Sequence, residues 1–136
     1  LRMDKRTAHE IVTLVQWHDR DIPRTEKAIA RAVHQLGEVT FRRLLAIKRA
    51  DNLAQHPDYR GRLTEIDRAE AILDGLLAKQ ACFSLRDLAV NGGDLLALGL
   101  RGPAVGHTLN ALLEQVLDGT LPNERETLLD AVRRLP

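Results

Sequence analysis

The spacing of its apolar residues is the feature that most restricts what this chain can fold into. Leucine, isoleucine, valine and alanine recur three and four positions apart along most of the sequence, for example across residues 28–36. This is the period of an amphipathic helix, and no segment sustains the alternation of a half-buried strand. Only 3% of the residues are aromatic, and leucine and alanine dominate, which also favours helices. We therefore predict an all-α fold.

Residues that start and stop helices divide the chain into about six main helices in two small lobes. The 136 residues suffice for a real core, since a chain near this size buries roughly two thirds of its unfolded surface. A lobe boundary is predicted at 80–84, separating residues 1–80 from 81–136. In the first lobe the predicted helices are 4–18, a helix capped by Thr25 and ended by Gly37, 38–55, and Thr64 to Lys79. In the second lobe they are Pro103 to Asp118 and 124–135, which follows a capping box of Asn123 and Glu126. Short helical pieces are predicted at 84–89 and 92–98.

Charge and cysteine content exclude several classes of protein. The net charge is +1, so only a local basic patch, and not the chain as a whole, would attract nucleic acid. The single Cys82 has no internal disulfide partner, which predicts a reducing compartment, the cytoplasm. No apolar run approaches about 18 residues, so we expect no membrane span. The first residues open inside a helical pattern without an initiator methionine, and we expect the chain to be cut from something longer.

Two places in the sequence are candidates for metal binding. His18 and Asp19 are adjacent, as in HD-type hydrolases, but they stand at a helix end in a polar loop, where a solvated last turn is the favoured interpretation. Asp51 lies in the middle of a helical pattern among apolar positions, where an unpaired carboxylate is costly. Either it pairs with Lys48 or a nearby arginine, or it is the last ligand of a metal site. No second cluster has ligand spacing.

The glycine-rich segment LGLRGPAVG, residues 98–106, resembles a helix-hairpin-helix element. Gly99 and Gly102 would let backbone N–H groups and the start of the helix at Pro103 face outward, which makes an anion site suited to a nucleic-acid phosphate. Arg101 would add positive charge. The alternative is that the glycines only allow two helices to cross closely.

A basic cluster lies on the third predicted helix. Arg42 and Arg49 are seven positions apart and share a face, and Arg43 is adjacent. Such a cluster is either the solvated face of an amphipathic helix or a phosphate-contacting surface. No aromatic residues are interleaved with it, so base stacking is not expected. No phosphate-binding loop or nucleophile motif is present, and we predict no catalytic residue in this chain.

Several segments resemble the C-terminal half of bacterial CCA-adding tRNA nucleotidyltransferases and their poly(A) polymerase relatives, in particular the group with an embedded HD-type domain. The most specific part is residues 88–129, with an Asn-Gly pair, a Gly-Leu-x-Gly-Pro turn, a glycine three residues after the proline, and then LPNERE. The segments that carry the resemblance are WHDRDI, TEKAIARAVHQLGEVTFRRLLAIKRADNLAQ and ACFSLRDLAVNGGDLLALGLRGPAVGHTLNALLEQVLDGTLPNERETLL.

This resemblance implies a function. Enzymes of the family add C, C and A to tRNA 3′ ends from CTP and ATP with Mg²⁺, using an N-terminal head that has no counterpart here. Residues 1–80 would be the end of the HD-type body domain and residues 81–136 the tRNA-binding tail. His18 and Asp51 would match a later histidine and the final aspartate of the HD-type metal site, which is incomplete in this chain.

The resemblance therefore predicts a fragment that binds no cofactor itself and transfers no nucleotides alone. Its expected partners are tRNA or another RNA and the missing head of the same polypeptide, with no DNA and no membrane. Two alternatives stay open: part of an HD-type metal-dependent phosphohydrolase, or a packing module without RNA contact. The sequence does not decide whether the longer protein adds CCA, only A, or poly(A).

Overall fold

The computed structural model describes residues 4–55 and 61–135, and within these ranges the chain is helical with no strand. The predicted all-α fold is confirmed. The chain divides into two compact units, residues 1–79 and 80–136. The helices are α1 (Lys5–Trp17), α2 (Glu26–Leu36), α3 (Glu38–Gln55), α4 (Gly61–Ala78), a 3₁₀ helix (Leu85–Asp87), α5 (Gly92–Ala97), α6 (Pro103–Leu117) and α7 (Arg125–Arg133).

In the first unit α2, α3 and α4 pack against one another, and α1 packs against α3. The apolar stripes of α2, α3 and α4 form this core, in which Ile29, Phe41 and Leu73 are fully buried, whereas α1 has no buried residue. The hydroxyl of Thr25 accepts a hydrogen bond from the backbone N–H of Ala28 at 3.1 Å and so caps α2 as predicted. Gly37, with a φ of +82°, ends it.

In the second unit α5 packs against α6, and α6 also contacts the 3₁₀ helix. Leu95, Leu113 and Leu128 come from three different helices and are fully buried. The helix predicted from Pro103 is confirmed, and Gly119 with a φ of +77° follows its end. None of the helices in residues 4–55 and 61–135 is long and apolar enough to cross a membrane.

One predicted helix start and one predicted cap are wrong. The fourth helix begins by Gly61, so Thr64 lies within it and is not its cap. The cap of α7 is Glu124, without a side-chain hydrogen bond, and the predicted capping box of Asn123 and Glu126 does not form. The amide of Asn123 instead accepts a hydrogen bond from the backbone N–H of Ala89 and donates to the carbonyl of Asp87. These long-range bonds take the place of the local cap.

Candidate functional site

The turn between α5 and α6 is built from backbone hydrogen bonds that require a glycine. Leu100 donates its N–H to the carbonyl of Leu95 at 3.1 Å, and Gly99 donates to Leu96 at 3.0 Å. This pair of bonds closes the end of α5 as a Schellman motif, which places the residue after the C-cap in left-handed conformation. Gly99 has a φ of +100°, as that geometry demands.

The start of α6 follows directly and faces solvent. Gly102 is its N-cap, with φ +60° and ψ −140°, and Pro103 occupies the first helical position. Gly102, Pro103 and Ala104 are all exposed. A helix start carries N–H groups without intrahelical partners and the positive end of the helix dipole, so an anion is favourable there.

Arg101 braces this turn. One nitrogen of its guanidinium donates to the carbonyls of Leu96 and Leu100, both at 2.7 Å. Within residues 4–55 and 61–135 no carboxylate pairs with Arg101, and the residue is exposed. The structure thus brings Gly99, Arg101 and Gly102 into one turn that presents a positive charge beside a helix start.

The three predicted phosphate-contacting arginines of α3 are all engaged by carboxylates. Arg42 donates to Asp74 of α4 at 2.8 Å, and this hydrogen bond is the main reason that the pKa of Arg42 is raised. Arg49 pairs with Asp67 at 2.7 Å, and Arg43 pairs with Glu10 of α1. An RNA phosphate would have to compete with these carboxylates, and the RNA-binding role of Arg42, Arg43 and Arg49 stays a prediction.

His18 and Asp51, the predicted metal pair, both line one cavity of about 320 Å³ in the first unit. Nε2 of His18 lies 3.2 Å from a carboxylate oxygen of Asp19, and Asp51 accepts a hydrogen bond from Gln55 at 2.9 Å. In the part of the chain that the structure describes, no three histidine, cysteine, aspartate or glutamate side chains are grouped to hold a metal ion. The donor set is therefore insufficient there for an HD-type metal, and the metal role of this pair stays a prediction.

Lys48 and Asn52 also line this cavity, although neither was among the site residues predicted from the sequence. Nζ of Lys48 donates to the carbonyls of His18 and Arg20, which ties α3 to the loop after α1. Desolvation lowers the pKa of Lys48. Asn52 is only 5% exposed, and neither atom of its amide has a hydrogen-bond partner among the residues described. A signal was present, because Asn52 lies seven positions after the buried Leu45 and so shares its helix face.

Known proteins resemble this chain over different lengths. The family model for tRNA nucleotidyltransferase domain 2 matches residues 1–132. A stretch of 50 residues, 36% of this chain, is 48% identical to the CCA-adding enzyme of Limosilactobacillus fermentum and covers 12% of it. A stretch of 47 residues, 34% of this chain, is 47% identical to the CCA-adding enzyme of Lacticaseibacillus paracasei and also covers 12%. No solved structure gives a significant match.

Proposed function

The chain belongs to the tRNA nucleotidyltransferase domain 2 family, and we propose that it is part of a CCA-adding enzyme whose residues 81–136 hold the tRNA. The family match over residues 1–132 and the two CCA-adding relatives support this proposal. A catalytic head elsewhere in the polypeptide would use CTP, ATP and Mg²⁺. Residues 1–80 would form the end of the HD-type body.

The turn at Gly99–Gly102 is the observation that most favours RNA contact. Its positive charge at Arg101 is not neutralised by any carboxylate in the described ranges, whereas Arg42, Arg43 and Arg49 each have one. A phosphate beside the start of α6 would receive backbone N–H groups and a guanidinium together. We therefore assign the first phosphate contact to this turn.

Fluorescence anisotropy of labelled tRNA against this chain, at several salt concentrations, tests the proposal. Binding whose logarithm falls linearly with the logarithm of the salt concentration supports it, because the slope counts the phosphates contacted. Absence of binding at low salt would favour a packing module whose tRNA affinity lies in other parts of the protein.

A charge reversal locates the contact. We expect Arg101→Glu to weaken tRNA binding by about tenfold and to reduce the salt slope by about one. Arg101→Lys loses the guanidinium geometry but keeps the positive charge, and because of that charge it should retain most of the affinity. Arg68→Glu makes the same charge change on the exposed surface of the first unit and serves as the matched control.

These variants also separate folding from binding. Thermal melts should show that Arg101→Glu still folds, with a modest loss because its bonds to two carbonyls are removed. Unchanged tRNA affinity in Arg101→Glu would remove the turn from the RNA surface. An equal loss in Arg68→Glu would show a nonspecific response to net charge.

We also expect no nucleotide incorporation by this chain with tRNA, CTP, ATP and Mg²⁺. The reason is that no complete active-site motif is found in its sequence. Incorporation by the pure protein would overturn the assignment of the chemistry to another part of the polypeptide.

The shared cavity of His18 and Asp51 favours a second candidate, an HD-type metal-dependent phosphohydrolase. Release of phosphate from a nucleotide that depends on an added divalent cation, and is lost in Asp51→Asn, would support it. The incomplete ligand set in the described residues makes it the weaker proposal.

A further inference from the structure

The cavity of the first unit has the size and walls of a small-ligand site. Its volume of about 320 Å³ is at the lower end of the range for ligand pockets, about 300–1,000 Å³. One side is apolar and comes from three helices, α2, α3 and α4. The apolar lining residues on these helices are Ile29, Phe41, Leu45, Ile66 and Ala69, and Ile22 of the loop after α1 also lines the cavity.

Asn52 is the feature of this wall that packing does not explain. It is 5% exposed and lines the cavity beside Leu45, yet its amide oxygen and nitrogen have no partner within residues 4–55 and 61–135. Leaving a buried amide unpaired destabilises a fold, and a leucine of similar size would avoid that cost. A buried amide offers one donor and one acceptor side by side, and it suits a ligand edge with the complementary pair.

The charges around the cavity provide no net attraction for a phosphate chain. Arg24 is paired with Asp21 and lies 3.6 Å from Glu65, and Lys48 is held by backbone carbonyls. The exposed carboxylate of Asp51 also lines the cavity and can accept bonds from hydroxyl groups. Basic and acidic lining residues balance in number: Arg20, Arg24, Lys48 and Arg62 against Asp19, Asp21, Asp51 and Glu65.

We propose that this cavity binds a nucleoside, with an edge of the base on the amide of Asn52, its flat face along the apolar wall and its ribose hydroxyls toward Asp51. Because both amide atoms are shielded from solvent, the Asn52 side chain turns toward the base when the nucleoside binds. Each nucleobase carries a donor and an acceptor side by side, and an asparagine amide pairs with such an edge in a bidentate manner. The nucleoside is either free or the terminal residue of an RNA. This inference does not depend on the proposed tRNA-holding role of residues 81–136.

Nuclear magnetic resonance of the ¹⁵N-labelled chain tests it directly. Adenosine and cytidine should each shift the side-chain amide signals of Asn52 in a saturable manner. ATP should not bind more tightly than adenosine, because the basic and acidic residues around the cavity balance and offer its triphosphate no net attraction. Ribose alone is the probe without a base and should leave the Asn52 signals in place, whereas an equal shift with ribose would overturn base recognition.

Asn52→Leu provides the matching variant. It should raise the melting temperature, since it removes the unpaired amide, and weaken nucleoside binding by at least about tenfold. Gln35→Leu replaces an exposed amide on α2, outside the cavity, and should leave nucleoside binding unchanged. A gain of stability together with a loss of binding is a combination that a purely structural role of Asn52 does not produce.

The two sources of the base are then separated. If tRNA shifts the Asn52 signals, and tRNA lacking its 3′-terminal nucleotides does not, the occupant is the end of an RNA. If free nucleosides shift them and tRNA does not, the occupant is a free nucleoside. If neither adenosine, cytidine nor tRNA moves the Asn52 signals, the proposal is wrong.

Discussion

The two units of this chain are both helical but are specified by different interactions. The first unit has two helices of 18 residues, α3 and α4, whose apolar stripes build the core and whose surfaces carry ion pairs between helices, such as Arg42 with Asp74. In the second unit α5 has only 6 residues, and polar side chains fix the connections by bonding to the backbone. Packing therefore determines the first unit, whereas satisfied backbone groups determine the connections of the second.

The largest expected effect is in the turn of the second unit. Gly102→Val should lower the free energy of unfolding by more than about 1 kcal/mol, and by up to about 3, because φ +60° with ψ −140° is a conformation that only glycine adopts readily. Thermal or urea unfolding measures this. Gly106→Ala, where an added Cβ meets open space inside α6, should instead be neutral or stabilising. A Gly102→Val melt equal to that of the unmodified chain would show that the turn tolerates an ordinary residue.

Asn123 tests whether side-chain bonds to the backbone fix the connections of the second unit. Asn123→Ala should cost about 2 kcal/mol, because it removes the partners of the Ala89 N–H and of the Asp87 carbonyl. Asn110→Ala is the matched control, since its exposed amide makes one bond to the carbonyl of Gly106 within α6. Equal losses in urea unfolding would mean that the long-range bridge adds nothing beyond an ordinary helix contact.

These positions also show which parts of the fold the sequence could predict. The bounds of α3 and the cap at Thr25 followed from spacing and from a residue that acts on its own neighbours. Asn123 looked like a local cap, but its partner Ala89 is 34 positions away, a relation that no local pattern contains. The predicted start at Thr64 was wrong for a local reason, because a threonine inside a helix has the same sequence signature as one at its start.

In the candidate sites too, local backbone features were predictable and contacts between distant residues were not. The turn at Gly99–Gly102 was predictable, because glycine and proline impose its backbone locally. The ion pairs of Arg42 with Asp74 and of Arg49 with Asp67 were not, because these carboxylates come from another helix. The unpaired state of Asn52 was not predictable either, since the sequence places it on the inner face without showing what surrounds it.

Asn52→Leu is the change for which we expect a gain in stability. The first unit should become more stable by about 1 kcal/mol, because an unpaired buried amide is replaced by an apolar group of similar size. Urea unfolding without ligand measures it. A loss of stability would mean that the amide has a partner in solution and would place Asn52 among the residues that hold the first unit together.

The ion pairs of the first unit should matter less than the bonds of the second. Arg42→Met keeps the aliphatic contacts and removes the pairs with Asp74, Glu38 and Glu70. We expect a loss below about 1 kcal/mol, since the arginine side chain is 37% exposed and water screens such pairs. The loss should shrink further at high salt. A loss as large as that of Asn123→Ala would contradict the contrast between the two units.

The smallest effect we expect is the pH dependence supplied by Asp94 in the second unit. Its carboxylate accepts two hydrogen bonds from the guanidinium of Arg125 and one from the backbone N–H of Asn91, and these hold the pKa of Asp94 below its ordinary value, with Arg125 the largest cause. The stabilisation is thus present above the unfolded pKa and is lost as the pH falls through the lowered folded pKa. Melting temperatures of the unmodified chain and of Asp94→Asn should therefore differ at neutral pH and converge in acid. Arg125→Met leaves the cap between Asn91 and Asp94 in place but removes the guanidinium. In the Arg125→Met background, the melting-temperature difference that Asp94→Asn causes should therefore depend much less on pH. If the melting-temperature difference between the unmodified chain and Asp94→Asn stays constant with pH, the Asp94 side chain stabilises the start of α5 by its shape and not by its charge.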